Sequence, residues 1–426
     1  MDLRGKKLLL LGGVQPTCQI IEEAHKMGVK VYVTDYLENS PAKKIADKSF
    51  MISTTDVDAV VELCKNEKID GVFTGYTDSM LPYCQKICKK LNLPFWGDER
   101  NIDICIDKEK FKIACEKAGV PVVPWKKVNL KNYKEKIQDL SFPVVIKPVD
   151  SSGSRGVFKC YNKDEYEKFC EMAFEFSKKK ELLIEKLMDM NSEISVYYMI
   201  YNGKTFLSEM GDRYVHAVNE ESAPVGQGMT CPSRHLQEWQ KQMESKIENF
   251  FVQNNMKNGF VFFQGFYENG NFYIHEVGYR LCGGFAYKYV EKFSGYNQIQ
   301  EMIRFSLTGE MNISQLEKSN PLFYSNAFTL TLVLKAGKVK TIIGVEEISE
   351  LSPIIEFCQL RFEGDSITTE GATTRVFAYI LCDIKNRKDL TNLINEVKTK
   401  IKVLDEDGNN MLTEILYPEK VQLFYE

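Results

Sequence analysis

The chain has 426 residues, a formal net charge of −4, twelve cysteines and four histidines. At about 150 residues per domain, that length allows about three domains. The slight acidity offers no basic face to nucleic acid and no polybasic tail to a membrane, and the longest aliphatic run, Leu8 to Leu11, falls far short of the about 20 residues a bilayer needs.

Arg4, Lys6 and Lys7 ahead of LLLLGGV imitate a secretion signal. Such a signal needs a longer apolar core and small residues at its cleavage site, and Gln15-Pro16-Thr17 suits cleavage badly. Residues 6–12 therefore read as a buried first strand. Pro16 opens a helix that runs to Met27 and is ended by Gly28. A strand at 29–35, helices near 56–67 and 78–91 and a strand at 69–75 continue the alternation, which predicts a doubly wound parallel sheet. Asp35 at a strand end invites a dinucleotide reading, but Gly12-Gly13-Val14-Gln15-Pro16-Thr17 keeps only the first glycine of that fingerprint. The scattered cysteines, with no CxxC pair, read as reduced thiols of a cytoplasmic protein, and four histidines leave little for a multi-histidine metal site.

From Asp107 the pattern gives a helix at 108–118, a strand ending near Val128, a helix near 131–139 and strands at 142–148, 156–161 and 181–186. A helix at 163–179 lies among them, and its terminal Lys178-Lys179-Lys180 reads as a solvated end. Two hairpins turn at Asn202-Gly203 and Asn269-Gly270, with an amphipathic segment at 233–254 between them. Strands at 326–335, 338–345 and 374–382 and a charged helix at 387–402 close the chain.

The stretch FPVVIKPVDSSGSRGV (142–157) carries the chemistry. Lys147 ends a strand, and Ser151, Ser152, Gly153, Ser154 and Gly156 follow in a loop whose backbone N–H groups can meet a phosphate. No GK[ST] follows, so this is not a Walker loop; the lysine clamps from the strand side instead. Lys108 offers a second cation. The backbone at Glu185, Lys186 and Leu187 suits an adenine edge, and Glu193 a ribose. Gln264, Glu276 and Arg280, on and just beyond a hairpin, suit magnesium and a γ-phosphate. Each piece alone is better read as a turn, a solvated carboxylate or an ion pair within a sheet. Their occurrence in one order along the chain favours nucleotide binding.

In that order the chain resembles the ATP-grasp superfamily, in the group of carbamoyl-phosphate synthetase, biotin carboxylase and the L-amino-acid ligases. Lys108 and Lys147 match the two phosphate lysines, IEKLMDMNSEISV the hinge and ribose glutamate, and Glu276 and Arg280 the last motif. The resemblance covers roughly residues 5–320, with VTDYLENSPAKKIADKSF (33–50) its most telling stretch in the first hundred residues. It implies an α/β and α+β multidomain architecture: an N-terminal doubly wound sheet (1–106), an ATP-grasp domain (107–323) with a mobile lid at about 124–186, and a small C-terminal α+β domain (324–426). It also implies ATP and Mg2+, small-molecule carboxylate and amine substrates (an amino acid among the options), and an acyl phosphate that an amine converts to an amide. A homodimer is one possible assembly. Arg213 is the candidate carboxylate clamp and His216 a candidate base in the acceptor segment 211–236.

Two departures stand out. The family's asparagine is Gly278 here, and the upstream metal carboxylate is Gln264, leaving Glu276 as the sole anionic ligand. They motivate an alternative, a catalytically weak or inactive ATP-binding regulatory module. A bicarbonate-using carboxylase fits the stretch after Arg280 poorly, and a complete carbamoyl-phosphate synthetase subunit needs two tandem copies.

Overall fold

The structure is a computed structural model that describes residues 2–151, 155–216, 225–368 and 373–426, with the backbone alone described for His216 and Thr373. The first strand, Lys7–Leu11, lies between Lys30–Thr34 and Gly71–Phe73, with Lys48–Phe50 beyond; all pair in parallel. Leu8 and Leu10 pack with Ile20, Ile21 and Ala24 of the helix Thr17–Lys26. Leu9 and Leu11 pack with Val60 and Leu63 of Val57–Glu67 and Ile87 of Leu81–Leu91. Both faces are thus covered, as a continuous aliphatic run demands. Asp35 spends its carboxylate locally, accepting from Gly13 N–H (2.8 Å) and Leu37 N–H (2.9 Å), so it is not held out for a dinucleotide ribose. All twelve cysteines are free thiols.

A second sheet is antiparallel, in the order Trp125–Asn129, Glu181–Lys186, Val144–Pro148, Phe158–Cys160. One face is covered by the helix Lys163–Glu175, which Asn162 caps by accepting from Asp164 N–H and Glu165 N–H. That helix stops four residues earlier than its sequence pattern suggests. Asp150 is the reason: its carboxylate accepts from Ser177 Oγ (2.7 Å), Lys178 N–H (3.0 Å) and Lys179 N–H (3.1 Å), holding the lysine run in a turn. The run is not simply solvated either, since Lys179 pairs with Asp107 and Lys180 donates to the Phe174 carbonyl.

The third sheet has eight strands, in the order Asn271–Gly278, Gly259–Glu268, Glu193–Tyr201, Lys204–His216, Val225–Cys231, Asn326–Val333, Val376–Ile384, Ile354–Gln359. Both Asn-Gly turns put two consecutive residues at positive φ (51° and 80°, 53° and 77°), the geometry that matches strand twist in a two-residue hairpin. The C-terminal strands continue this sheet rather than starting another, because Val225–Cys231 pairs directly with Asn326–Val333. The helix Arg387–Lys400 covers their far face. The expected strand 338–345 is two short ones, Gly337–Lys338 and Thr341–Ile343, with different partners. Helices Glu99–Ile106, Tyr287–Ser294 and Gln298–Thr308 and the edge strand Ile354–Gln359 are not among the expected elements, although Asp98 and Asn101 form a capping box and Asn297 and Gly309 bracket Gln298–Thr308. Among the described residues, no helix is long and apolar enough to cross a membrane.

Candidate nucleotide and acceptor sites

In Val144–Pro148 the residues Val144, Ile146 and Pro148 are buried, while Val145 and Lys147 turn to the opposite face. Strand register sets Val145 against Glu185 on one side and Lys159 on the other. Side chains of directly paired residues share a face, so Lys147, Glu185 and Lys159 meet there. The helix Lys108–Ala118, capped by Asp107, adds Lys108 and Lys112 one turn apart.

These residues line a cavity of about 180 Å³ together with Ser151, Arg155, Lys186, Leu187, Met188, Glu193, Arg213, Gln264, His275 and Glu276; Lys112 stands just behind its wall. Lys147 Nζ lies 2.5 Å from Glu185 Oε2. Lys112 Nζ, fully buried, lies 3.1 Å from Glu185 Oε1 without hydrogen-bond alignment, and donates to the Val123 carbonyl at 3.2 Å. Burial alone would raise the Glu185 pKa, yet the two lysines hold it down at about 2. Burial pushes the Lys108 and Lys112 amines below their ordinary value. Lys108 donates to the Ser151 carbonyl, at the start of the glycine loop.

At the other end, Arg213 donates to Glu193, with His275 Nε2 3.8 Å from the same oxygen. Glu193 is buried, but its cationic neighbours keep its pKa low. With its amide oriented to satisfy both ends, Gln264 donates to Glu276 Oε2 (3.1 Å) and accepts from Arg213 Nη1 (2.9 Å). Its oxygen is therefore turned to Arg213, away from the metal role expected of it. Glu276 forms no ion pair with any described residue.

The structure gathers most of the expected residues and redirects several. Lys186 N–H donates to the Pro124 carbonyl (3.0 Å) and Leu187 N–H to the Pro143 carbonyl (3.2 Å), so those two donors are not open to a base. Met188 N–H, one residue further, has no partner among the described residues and lines the same cavity. Gly156 has φ +72°, and a Cβ there would sit 2.6 Å from Phe176, so this glycine closes the loop by fit. Ser152, Gly153, Ser154 and the His216 side chain lie outside the described residues.

Arg280 is not in this cavity. It pairs with Asp78 (2.6 Å), lies over the Phe262 ring (5.1 Å) and lines a neighbouring open cleft with Gln15, Lys44, Tyr76, Gly283 and Arg361. Asp78 brings an N-terminal residue to the end of the strand Asn271–Gly278. Gly278 leaves room for Phe262, because a Cβ there would meet the ring at 2.2 Å. Gly278→Asn should therefore destabilise the protein by about 1–3 kcal/mol through overpacking. Denaturant titration checks this, and pairing it with Phe262→Leu should recover much of the loss.

Sequence reading missed Lys112, Lys159, His275 and Asp78. Lys112 had a signal, its place one turn beyond Lys108. His275 reaches the cavity beside Glu276 only because a register shift between Gln264 and Gly265 turns two consecutive residues inward. Lys159 is 8% exposed, and no described acidic group is paired with it; burial alone lowers its pKa.

Residues 8–92 match the family described as PylC-like, N-terminal domain, and residues 114–220 the family described as D-ala D-ala ligase C-terminus. The L-amino acid ligase from Bacillus licheniformis superposes with a TM-score of 0.77 over 95% of this chain and 99% of that one, at 19% identity. This is the ATP-grasp fold. The biotin carboxylase domain of Hydrogenobacter thermophilus 2-oxoglutarate carboxylase, solved with MgADP and bicarbonate, gives 0.76 at 18% identity, over 93% of this chain and 91% of that one. Among curated proteins, the chain is 27% identical over 199 residues to the formate-dependent phosphoribosylglycinamide formyltransferase of Sulfurisphaera tokodaii, 45% of this chain and 49% of that one. It is 26% identical over 220 residues to that of Maridesulfovibrio salexigens, 49% of this chain and 54% of that one. The chain spans about half the length of the curated relatives it matches.

Proposed function

We propose that the chain is an ATP-dependent carboxylate–amine ligase that forms an amide through an acyl phosphate and releases ADP and phosphate. The observation that carries this reading is the single cavity lined by Lys108, Lys147, Lys159 and Arg213 together with Glu276, a carboxylate that forms no ion pair with a described residue. In this reading residues 1–106, 107–323 and 324–426 act as three units, and 124–186 closes as a lid. The lysines hold the triphosphate, and Met188 N–H meets the base. Magnesium, when bound, neutralises phosphate charge. Glu276 would hold it, with phosphate and water oxygens completing its shell, which that ion accepts.

A carboxylate oxygen of the acid substrate attacks the γ-phosphorus, and ADP leaves. The amine nitrogen then attacks the acyl carbon, phosphate leaves, and the nitrogen loses a proton. Nothing here needs a protein nucleophile; positioning and charge suffice. Arg280 and Arg361 border the open cleft, where anionic parts of the acceptor would sit. Free thiols suit a reducing compartment such as the cytoplasm.

Incubation with ATP, magnesium and pooled acids and amines should release ADP, and hydroxylamine should trap a hydroxamate. Release of AMP overturns the mechanism, and binding of ATP without turnover favours the inactive module. Lys159 gives a sharper prediction. Lys159→Met should weaken ATP binding by about 1.5–3 kcal/mol, the worth of a charge-assisted contact. It should leave stability equal or higher, since it removes a buried unpaired charge. Calorimetry for ATP and a denaturation curve check both halves.

A further inference from the structure

Glu209 lies on Lys204–His216, directly opposite Tyr197 of Glu193–Tyr201. A register shift between Leu207 and Glu209 leaves Ser208 as the extra residue, and Ser208 hydrogen-bonds Tyr296 on its own account (2.9 Å). The shift turns Glu209 onto the face shared with Tyr197. There its side chain is wholly buried, and neither carboxylate oxygen has a hydrogen-bond partner among the described residues. No described lysine, arginine or histidine pairs with it. Burial pushes its pKa up to about 8.

Glu209 lines a small pocket of about 10 Å³, room for about one water-sized group, with Tyr76, Phe260, Cys282, Tyr287 and Gln298. Two more polar atoms of this lining, the Tyr76 hydroxyl and Gln298 Nε2, have no hydrogen-bond partner among the described residues. Tyr76 also lines the open cleft that holds Arg280, and Cys282 stands between Arg280 and Gly283, both on that cleft. A buried carboxylate costs a great deal unless a positive charge or hydrogen bonds meet it. Among the described residues neither meets Glu209, in a space next to the cleft that holds Arg280. The aromatic rings of Phe260 and Tyr287 further favour a cation.

We propose that this cavity is an amine subsite, in which Glu209 receives one protonated nitrogen, either ammonium itself or the primary ammonium group of the acceptor. Its assignment to the acceptor rests on the ligase reading; the binding itself does not.

The test is a thermal-shift titration of the full chain without ATP at pH 8. Ammonium and methylammonium chloride are compared with potassium and tetramethylammonium chloride at equal ionic strength, on wild type and on Glu209→Gln. Ammonium should raise the wild-type Tm, by about 1.5 °C at tenfold over its Kd and logarithmically beyond it. The larger tetramethylammonium should not, and Glu209→Gln should lose the effect. Methylammonium acting as well marks a primary amine; ammonium acting alone marks free ammonium. An equal shift in Glu209→Gln, no advantage of ammonium over tetramethylammonium, or an equal effect of potassium overturns the proposal. If the variant does not fold, isotope-labelled ammonium added to wild type should show a bound resonance by NMR, and its absence overturns the proposal equally. None of these arms depends on turnover, so an inactive protein with an ammonium site remains distinguishable from a ligase without one.

Discussion

Replacing Glu185 with glutamine should lower stability by about 3–5 kcal/mol, the cost of leaving buried charge uncompensated. Glu185 is the one anion facing both Lys112, which is fully buried, and Lys147. Glutamine keeps the shape and removes the charge, so two ammonium groups are left opposite a neutral amide. ATP binding should weaken too, because Lys147 loses the group that fixes its position. The pH dependence has a defined sign. The folded pKa of Glu185 is depressed to about 2 from 4.5, so its contribution is complete above about 4.5 and is lost as pH falls towards about 2. Urea midpoints should differ widely between wild type and variant at pH 7 and converge in acid. Equal midpoints at pH 7 would show that the lysines find other partners. A Lys112→Met, Glu185→Gln double variant should recover part of the loss, as removing both members of a buried pair commonly does.

The same trio shows where sequence reading reaches its limit. Lys147 was legible because a lysine at the end of an apolar strand, with a glycine loop behind it, is a local pattern. Both Asn-Gly hairpins were legible for the same reason, since two consecutive positive-φ residues are written into two adjacent letters. Glu185 was legible as a position but not as a role. Its expected contribution was backbone to an adenine edge, whereas its side chain is the counter-ion that joins the helix Lys108–Ala118 to the four-stranded antiparallel sheet. Nothing local announces a pairing between residues 112 and 185. Arg280 was assigned to the phosphate cavity, but its partner Asp78 lies 202 positions away, and that contact turns it into the neighbouring cleft. Gly278 was read as a lost ligand; the structure adds that Phe262 occupies the space an asparagine needs. Charge pairs and close packing across long sequence separations set the site's final geometry, while turns and strand faces are set by neighbours.

Glu276→Gln should lower turnover by at least about 10²–10³-fold, the scale of losing one preorganised electrostatic contact in a reacting site. Among the described residues that line the cavity, Glu276 is the one carboxylate that forms no ion pair. Glu185 is consumed by Lys112 and Lys147, and Glu193 by Arg213. Gln264 cannot replace it without turning its oxygen away from Arg213. A protein oxygen with free negative charge is what a magnesium–triphosphate needs to be held in line. The fold should be spared, because no ion pair is broken and a glutamine oxygen at 276 can still accept from the Gln264 amide. The loss should therefore appear in kcat and in the magnesium concentration for half-activity, with ATP binding in the absence of magnesium unchanged. Steady-state kinetics across a magnesium titration separate these quantities. Wild-type turnover in Glu276→Gln would remove this residue from the reaction, and a uniform loss of metal-free ATP binding would show that it supports the nucleotide pocket instead of the metal.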